Sequence, residues 1–203
     1  METLLEGYRK FRAETWPEKS RIFEELAEKG QKPKALVLGC VDSRANPGVI
    51  FGAGPGELLV ARNVANFIPA YGSAAMCYGT AAAVEFGVRV LEIPELLVLG
   101  HQKCGGVSAL LNGVPENAQE FVAPWMAEAE EARRRAAKEH DPDRRQLLGE
   151  QEVIKLSLAN LAGFPWIAER VAAGRLRLSG AWFSIYSGTL SLLQEDGSFR
   201  DVA

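Results

Sequence analysis

Hydrophobic positions in this chain follow two different periods, and the switch between them outlines the elements. Near the start, Leu4, Leu5, Tyr8, Phe11 and Arg12 fall at helical spacing. Ile22, Phe23 and Leu26 form a second such face that stops at Gly30. Residues 2–30 are therefore predicted to be helical, with a break at Trp16-Pro17, where the proline lacks a backbone donor. The pattern then shortens. Lys34 to Gly39, Leu58 to Asn63 and Leu96 to Gly100 are apolar runs of strand length. Helical stretches are expected between and after them: a turn at Asn46 to Phe51, an Ala-rich helix over 73–91, and VSALLN opened by Gly105-Gly106. Gln119 to Leu161 is charged and Ala-rich, with a break at Asp141-Pro142-Asp143. Pro165 to Ala173 reads as a helix closed by Gly174. Leu176 to Leu193 alternates and carries Ser187-Gly188, so it is predicted to be a strand and hairpin.

Strands alternating with helices predict an α/β fold with a mainly parallel sheet, extended at its tail by antiparallel pairing. No internal repeat or linker divides the chain, so 1–203 is expected to be one domain: a helical arm, 1–30, and a core, 31–203. The apolar stripe of the arm needs a cover, and a partner subunit would supply one.

Composition narrows the function. The 203 residues are 47% hydrophobic and 24% charged, with a formal net charge of -3. No Lys/Arg cluster is interleaved with aromatics, which argues against nucleic-acid binding. No apolar stretch approaches a bilayer span, and the amphipathic start does not resemble a secretory signal. Three widely spaced cysteines argue against a disulfide framework and for a reducing, cytoplasmic setting.

The chemistry concentrates at two strand ends. Cys40 ends the first run, in KALVLGC-VDSR, and His101 with Cys104 ends another, in LLVLGHQKCGG. In open α/β sheets the crevice beyond the carboxyl ends of strands is where sites form. Two thiols and an imidazole brought to one edge match a catalytic zinc site with a fourth position open. Two thiolates neutralise the dication, so the pKa of a coordinated water is expected above the ~7 of a three-histidine site. Activity should then rise toward alkaline pH. Cys77, among small residues in SAAMCYGTAAA, reads as a packing cysteine, and His140 as a solvent-facing residue. Asp42 and Arg44, two apart, are candidates for a carboxylate held by a guanidinium fork, or for a loop ion pair or Asx-turn. GAGPGE precedes a strand and lacks phosphate-loop spacing, so it reads as a turn. Arg133-Arg134-Arg135 among glutamates reads as a solvated helix face.

These residues resemble the β-class carbonic anhydrases. That family's cysteine-x-Asp-Ser-Arg and Gly-His-x-x-Cys-Gly-Gly patterns stand here as CVDSR and GHQKCGG. PGELLVARNVAN (Pro55 to Asn66), ANLAGFPWIAERVAAGRLRLSGAWFSIYSGTL (Ala159 to Leu190) and EGYRKFR are also similar. The resemblance implies reversible hydration of CO2 to bicarbonate and a proton, by zinc-bound hydroxide. It implies zinc on Cys40, His101 and Cys104, and Asp42 and Arg44 as the orienting dyad. Gln31, Leu59, Val64, Phe86 and the Gly105 N–H would line the substrate site. The implied fold is a four-stranded parallel sheet with an added antiparallel strand and flanking helices. The implied assembly is a homodimer or higher homo-oligomer whose N-terminal arms embrace the partner.

Leu59 and Phe86 stand where the family usually has Phe and Tyr, which keeps carbonyl sulfide or carbon disulfide hydrolysis as an alternative. A non-catalytic shell component is a third possibility, against which the intact Asp42-Arg44 pair argues. Val37 and Phe183 replace the Trp and Tyr of an inhibitory bicarbonate pocket known in one subgroup, so that pocket is expected to be missing. No second histidine accompanies the ligands, which leaves buffer or Tyr71 to accept the proton.

Overall fold

The computed structural model describes residues 1–73 and 78–202. Its centre is a six-stranded sheet: β1 (Ala35–Cys40), β2 (Leu58–Asn63), β3 (Glu95–His101), β4 (Arg177–Phe183), β5 (Leu190–Leu193) and β6 (Phe199–Asp201). The order is β2-β1-β3-β4-β5-β6. The first four strands are parallel, and β5 and β6 add antiparallel pairs. The four-plus-one expectation is met by β1 to β5. The short β6 extends the edge one strand further, by pairing Leu193 with Phe199 across a turn with Gly197 at φ 81°.

The chain leaves β1 for β2 on one side and reaches β3 on the other, so the sheet reverses its winding between β1 and β3. At such a switch point the loops diverge and a crevice opens. Cys40 ends β1 and His101 ends β3, the two strands flanking that crevice.

Leu36, Leu38, Leu96 and Val98 point to one face of the sheet, as their spacing by two requires. They meet Ile154 and Leu161 of α8 (Pro142–Ala162) and Ile167 of α9 (Pro165–Ala172). Two strand glycines set the depth of α8. A Cβ on Gly100 or Gly180 would stand 2.6 or 2.8 Å from Ile154 carbons. The predicted break at residues 141–143 is the start of α8: Pro142 takes the first turn and the Asp141 side chain accepts from Arg144 N–H at 2.8 Å.

Of the remaining helices, α3 (Pro47–Ile50), α4 (Tyr78–Glu85) and α5 (Gly105–Asn112) fall within predicted stretches, while α6 (Val122–Ala127) and α7 (Glu130–Ala136) occupy the charged, Ala-rich segment, for which no helix bounds were predicted. Cys77 lies outside the described residues.

The N-terminal arm departs from expectation. Trp16-Pro17 does not break it. Instead α1 (Glu2–Lys10) and α2 (Trp16–Lys29) are joined by a π-turn over Phe11–Thr15, where Trp16 N–H reaches back five residues to Phe11 C=O. A wider turn relieves the clash of a proline ring with the carbonyl four residues earlier. Neither arm helix has a buried residue. Trp16 stacks on Phe23, Phe11 meets both rings edge to face, and Leu4 and Tyr8 stay exposed.

Candidate metal centre

Two strand-end residues and the residue that caps α5 converge at the switch point. Cys40 Sγ, a ring nitrogen of His101 and Cys104 Sγ all lie within 4.8 Å of one another, and all three residues are buried. The two sulfurs are 3.8 Å apart. His101 Nδ1 is 2.9 Å from Gln102 C=O, so the ring carries its proton there. That leaves the Nε2 lone pair, which is buried and has no hydrogen-bond partner. An unpaired buried acceptor is costly, and a cation between it and the sulfurs would satisfy it. The donor set of two thiols and a neutral imidazole suits a borderline-soft divalent ion. The cluster could hold a metal ion.

The backbone around the trio is shaped for it. Val64 to Asn66 follow β2 as a tight turn, with Ala65 at φ 64° and Asn66 at φ 48°. Left-handed non-glycine residues are strained and persist where their surroundings over-determine them. Here Ser157 Oγ donates to Asn66 C=O at 3.2 Å, and Trp125 Nε1 donates to Val64 C=O at 2.9 Å. The turn aims Ala65 N–H at the Cys40 sulfur. Gly106 sits beneath it, where a Cβ would stand 2.7 Å from Val64 Cγ1. Gly105 has no neighbour within 4 Å of its Cβ position and borders open space.

Electrostatics favour thiolate at one sulfur first. The Cys104 thiol and backbone N–H groups hold the Cys40 thiol well below its ordinary range. The neighbouring thiolate and burial push Cys104 up. A divalent cation reverses that second effect, because coordination deprotonates a thiol.

Asp42 and Arg44 form both structures foreseen for them. Arg44 Nε and Nη2 donate to Asp42 Oδ1 and Oδ2 at 2.9 and 2.7 Å, and Arg44 N–H closes an Asx-turn on Oδ1 at 3.0 Å. This fork holds the Asp42 carboxyl well below the usual carboxylate range. Its Oδ2 is 3.9 Å from His101 Nε2, beside the trio. Arg44 Nη2 also donates to Lys103 C=O at 3.0 Å, which ties the first ligand loop to the second.

The other predicted residues are distributed unevenly. Val64 packs in the cluster that holds Cys40 and Cys104. Leu59 is paired with Leu36, four residues before Cys40, or about 13 Å along the strand. Gln31 precedes β1 and is exposed, and Phe86 is also exposed. One chain therefore does not bring Gln31, Leu59 and Phe86 to the ligand edge. Val37 and Phe183 share an apolar cluster with Leu99 and Ala181. Tyr71 meets Phe164 edge to face and is half exposed, and His140 is exposed. Arg133, Arg134 and Arg135 pair with Glu130 and Glu131, as a solvated face should.

Two residues escaped the sequence reading. Arg62 Nε donates to Cys40 C=O at 2.7 Å and its Nη2 to Asp42 C=O at 2.6 Å, which fixes the loop between ligand and carboxylate. Glu150, on α8, reaches the Cys104 N–H. Burial pushes its carboxyl up, against the pull of three donors. Neither contact has a local pattern, since 22 and 46 residues separate the partners.

Comparison with known proteins agrees with this geometry. The sequence model described as carbonic anhydrase matches residues 35–190. A carbonic anhydrase of Pseudomonas aeruginosa is 36% identical over 98% of this chain and 90% of its own length. The solved structure of the β-carbonic anhydrase CcaA superposes with a TM-score of 0.93 at 31% identity, covering 100% of this chain and 99% of that one. Two tetrameric β-carbonic anhydrases of Sordaria macrospora share the fold, with a TM-score of 0.83 at 24% identity over 100% of this chain and 98% of theirs. A matched core, a near full-length relative and a superposable sheet converge on one conclusion: the chain belongs to the β-carbonic anhydrase family and is an enzyme of that kind.

Proposed function

We propose that this protein catalyses the reversible hydration of CO2 to bicarbonate and a proton, with zinc held by Cys40, His101 and Cys104. The observation that carries the reading is the unpartnered His101 Nε2 facing two sulfurs, with a guanidinium-locked carboxylate 3.9 Å away. A zinc ion with three protein ligands and an open fourth position supplies a Lewis acid that acidifies coordinated water.

The chain's own residues do the rest. Arg44 occupies both Asp42 oxygens, so the carboxylate stays ionised and cannot swing freely onto the metal. Its remaining lone pairs accept a hydrogen bond from the attacking oxygen and orient it toward substrate. The Gly105 N–H opens α5 beside the site and suits an anionic product. Val64 excludes water on the apolar side. With two thiolates on the cation, the rate should climb from pH 7 toward pH 9.

Gln31, Leu59 and Phe86 enter the substrate pocket from a second copy of the chain, because one chain leaves them away from the ligands. The same copy would cover the exposed face of the arm, so the working unit is a homodimer or a higher assembly. The chain acts as one domain, with arm 1–30 and core 31–203. Among the described residues no helix is long and apolar enough to cross a membrane, and free Cys40 and Cys104 suit a reducing compartment such as the cytoplasm.

Stopped-flow assays on the zinc-loaded protein, run in parallel with CO2 and carbonyl sulfide, test this reading. Faster turnover of CO2 is expected. Preference for carbonyl sulfide would transfer the assignment to the hydrolase reading, and absence of both activities would overturn it.

A further inference from the structure

Glu150 is a carboxylate with 2% of its surface exposed, and the hydration chemistry gives it no task. Burying such a group without partners is expensive. Its side-chain hydrogen bonds among the described residues come from uncharged groups, not from a cation. Three neutral donors converge on it. Oε1 accepts from Cys104 N–H at 3.0 Å and from Gln146 Nε2 at 2.7 Å, and Oε2 accepts from Trp182 Nε1 at 3.0 Å. Gln146 lies one turn earlier on α8, and its Nε2 also donates to Cys104 C=O at 3.1 Å. Both backbone polar groups of Cys104 are thus held by a pair of side chains spaced i, i+4 on one helix.

The clamp falls where the backbone needs it. Lys103, just before Cys104, has φ 55°, a strained value for a side-chain-bearing residue. That twist turns the chain from His101 so that the Cys104 sulfur meets Cys40. The depth of α8, set by Ile154 against Gly100 and Gly180, puts Glu150 within reach.

We propose that Glu150, supported by Gln146, is the positioning residue that fixes Cys104 for the metal. The inference rests on the metal-centre reading above. Side chains behind a ligand orient it and govern metal affinity. The site specifies an acid, because all three incoming groups are donors. A glutamine of the same shape would turn its own NH2 against at least one of them and release either Trp182 or the Cys104 backbone.

The test is metal binding by full-length protein, with no assay of turnover. Wild type and Glu150→Gln are titrated with zinc against a chromophoric chelator, and their cobalt forms are compared by absorption. Zinc affinity is expected to fall about 10–100-fold in Glu150→Gln, with a shift of the thiolate-to-cobalt charge-transfer band. Glu152→Gln is the control. Glu152 lies on the same helix but pairs with Arg135 and Lys155, so its loss should lower stability and leave affinity and spectrum unchanged. Unchanged affinity and spectrum in Glu150→Gln would overturn the proposal. Should that variant fail to fold, Gln146→Met at a half-buried position removes two of the bonds, and a smaller loss in the same direction is expected. Unchanged affinity there would also overturn it. Wild type that binds no cobalt would instead sink the metal-centre reading itself.

Discussion

The two ends of the β1 strand make opposite kinds of surface. At its carboxyl end, Cys40, His101 and Cys104 are buried; hydrogen bonds donated by Arg44, Arg62 and Ser157, and one that Glu150 accepts, brace the surrounding loops. Before its amino end, the arm has no buried residue, and Leu4, Tyr8 and Ile22 face solvent. The ligand edge is complete within one chain, whereas the arm is not. Metal binding should therefore depend on the chain alone, and catalysis on its assembly. Variants at the two ends should separate the two properties.

The largest effect belongs to the ligand edge. Cys104→Ala should bind no zinc and hydrate CO2 at the uncatalysed rate, as metal analysis with stopped-flow assay will show. Retention of either property would break the comparison at its stronger end. Next comes Asp42→Asn. It should keep zinc but lose rate on the order of 10²-fold, the scale of a misplaced proton partner. Equal loss of metal and rate would mean that Asp42 is a structural ligand support instead.

The arm gives the third effect. A double substitution Leu4→Asp and Tyr8→Asp should yield monomers by light scattering, with one zinc per chain and lowered hydration. Zinc lost along with the oligomer would show that the ligand edge is not self-sufficient.

The fourth effect is smaller and lies on the acid side. Because Arg44 holds the Asp42 carboxyl below its unfolded value of about 3.9, the pair's contribution to stability is complete above about pH 4. It is lost as pH falls through the folded value. The stability gap between wild type and Asp42→Asn should be constant from pH 5 to 9 and shrink below pH 4, as denaturant melts will show. A gap that changes near pH 7 would tie Asp42 to another titration.

What could be read from the sequence follows the range of each interaction. The convergence of Cys40, His101 and Cys104 was legible because strand runs, Gly100 and the turn after it are local, and the Asp42-Arg44 pair needs only a spacing of two. The hairpin at Ser187-Gly188 was legible for the same reason: Gly188 takes φ 73°, which its residue type permits. Pro17 misled, because a π-turn can absorb a proline without ending a helix. The clamps of Arg62 and Glu150 left no local pattern, since folding alone brings them to Cys40 and Cys104. Strand β6 was missed because three residues, Phe199–Asp201, are too short to show a period. Leu59 and Gln31 match the family by position, yet only the folded chain reveals that the β1–β2 register holds Leu59 four residues from Cys40 and that Gln31 precedes β1.

A crystal structure of the zinc-loaded protein near neutral pH, with anomalous data, tests the central claim most directly. The account predicts one anomalous peak bonded to Cys40 Sγ, His101 Nε2 and Cys104 Sγ, with Asp42 still held by Arg44 and the fourth position free of protein. Asp42 bonded to the metal, or a peak away from these three residues, would contradict it.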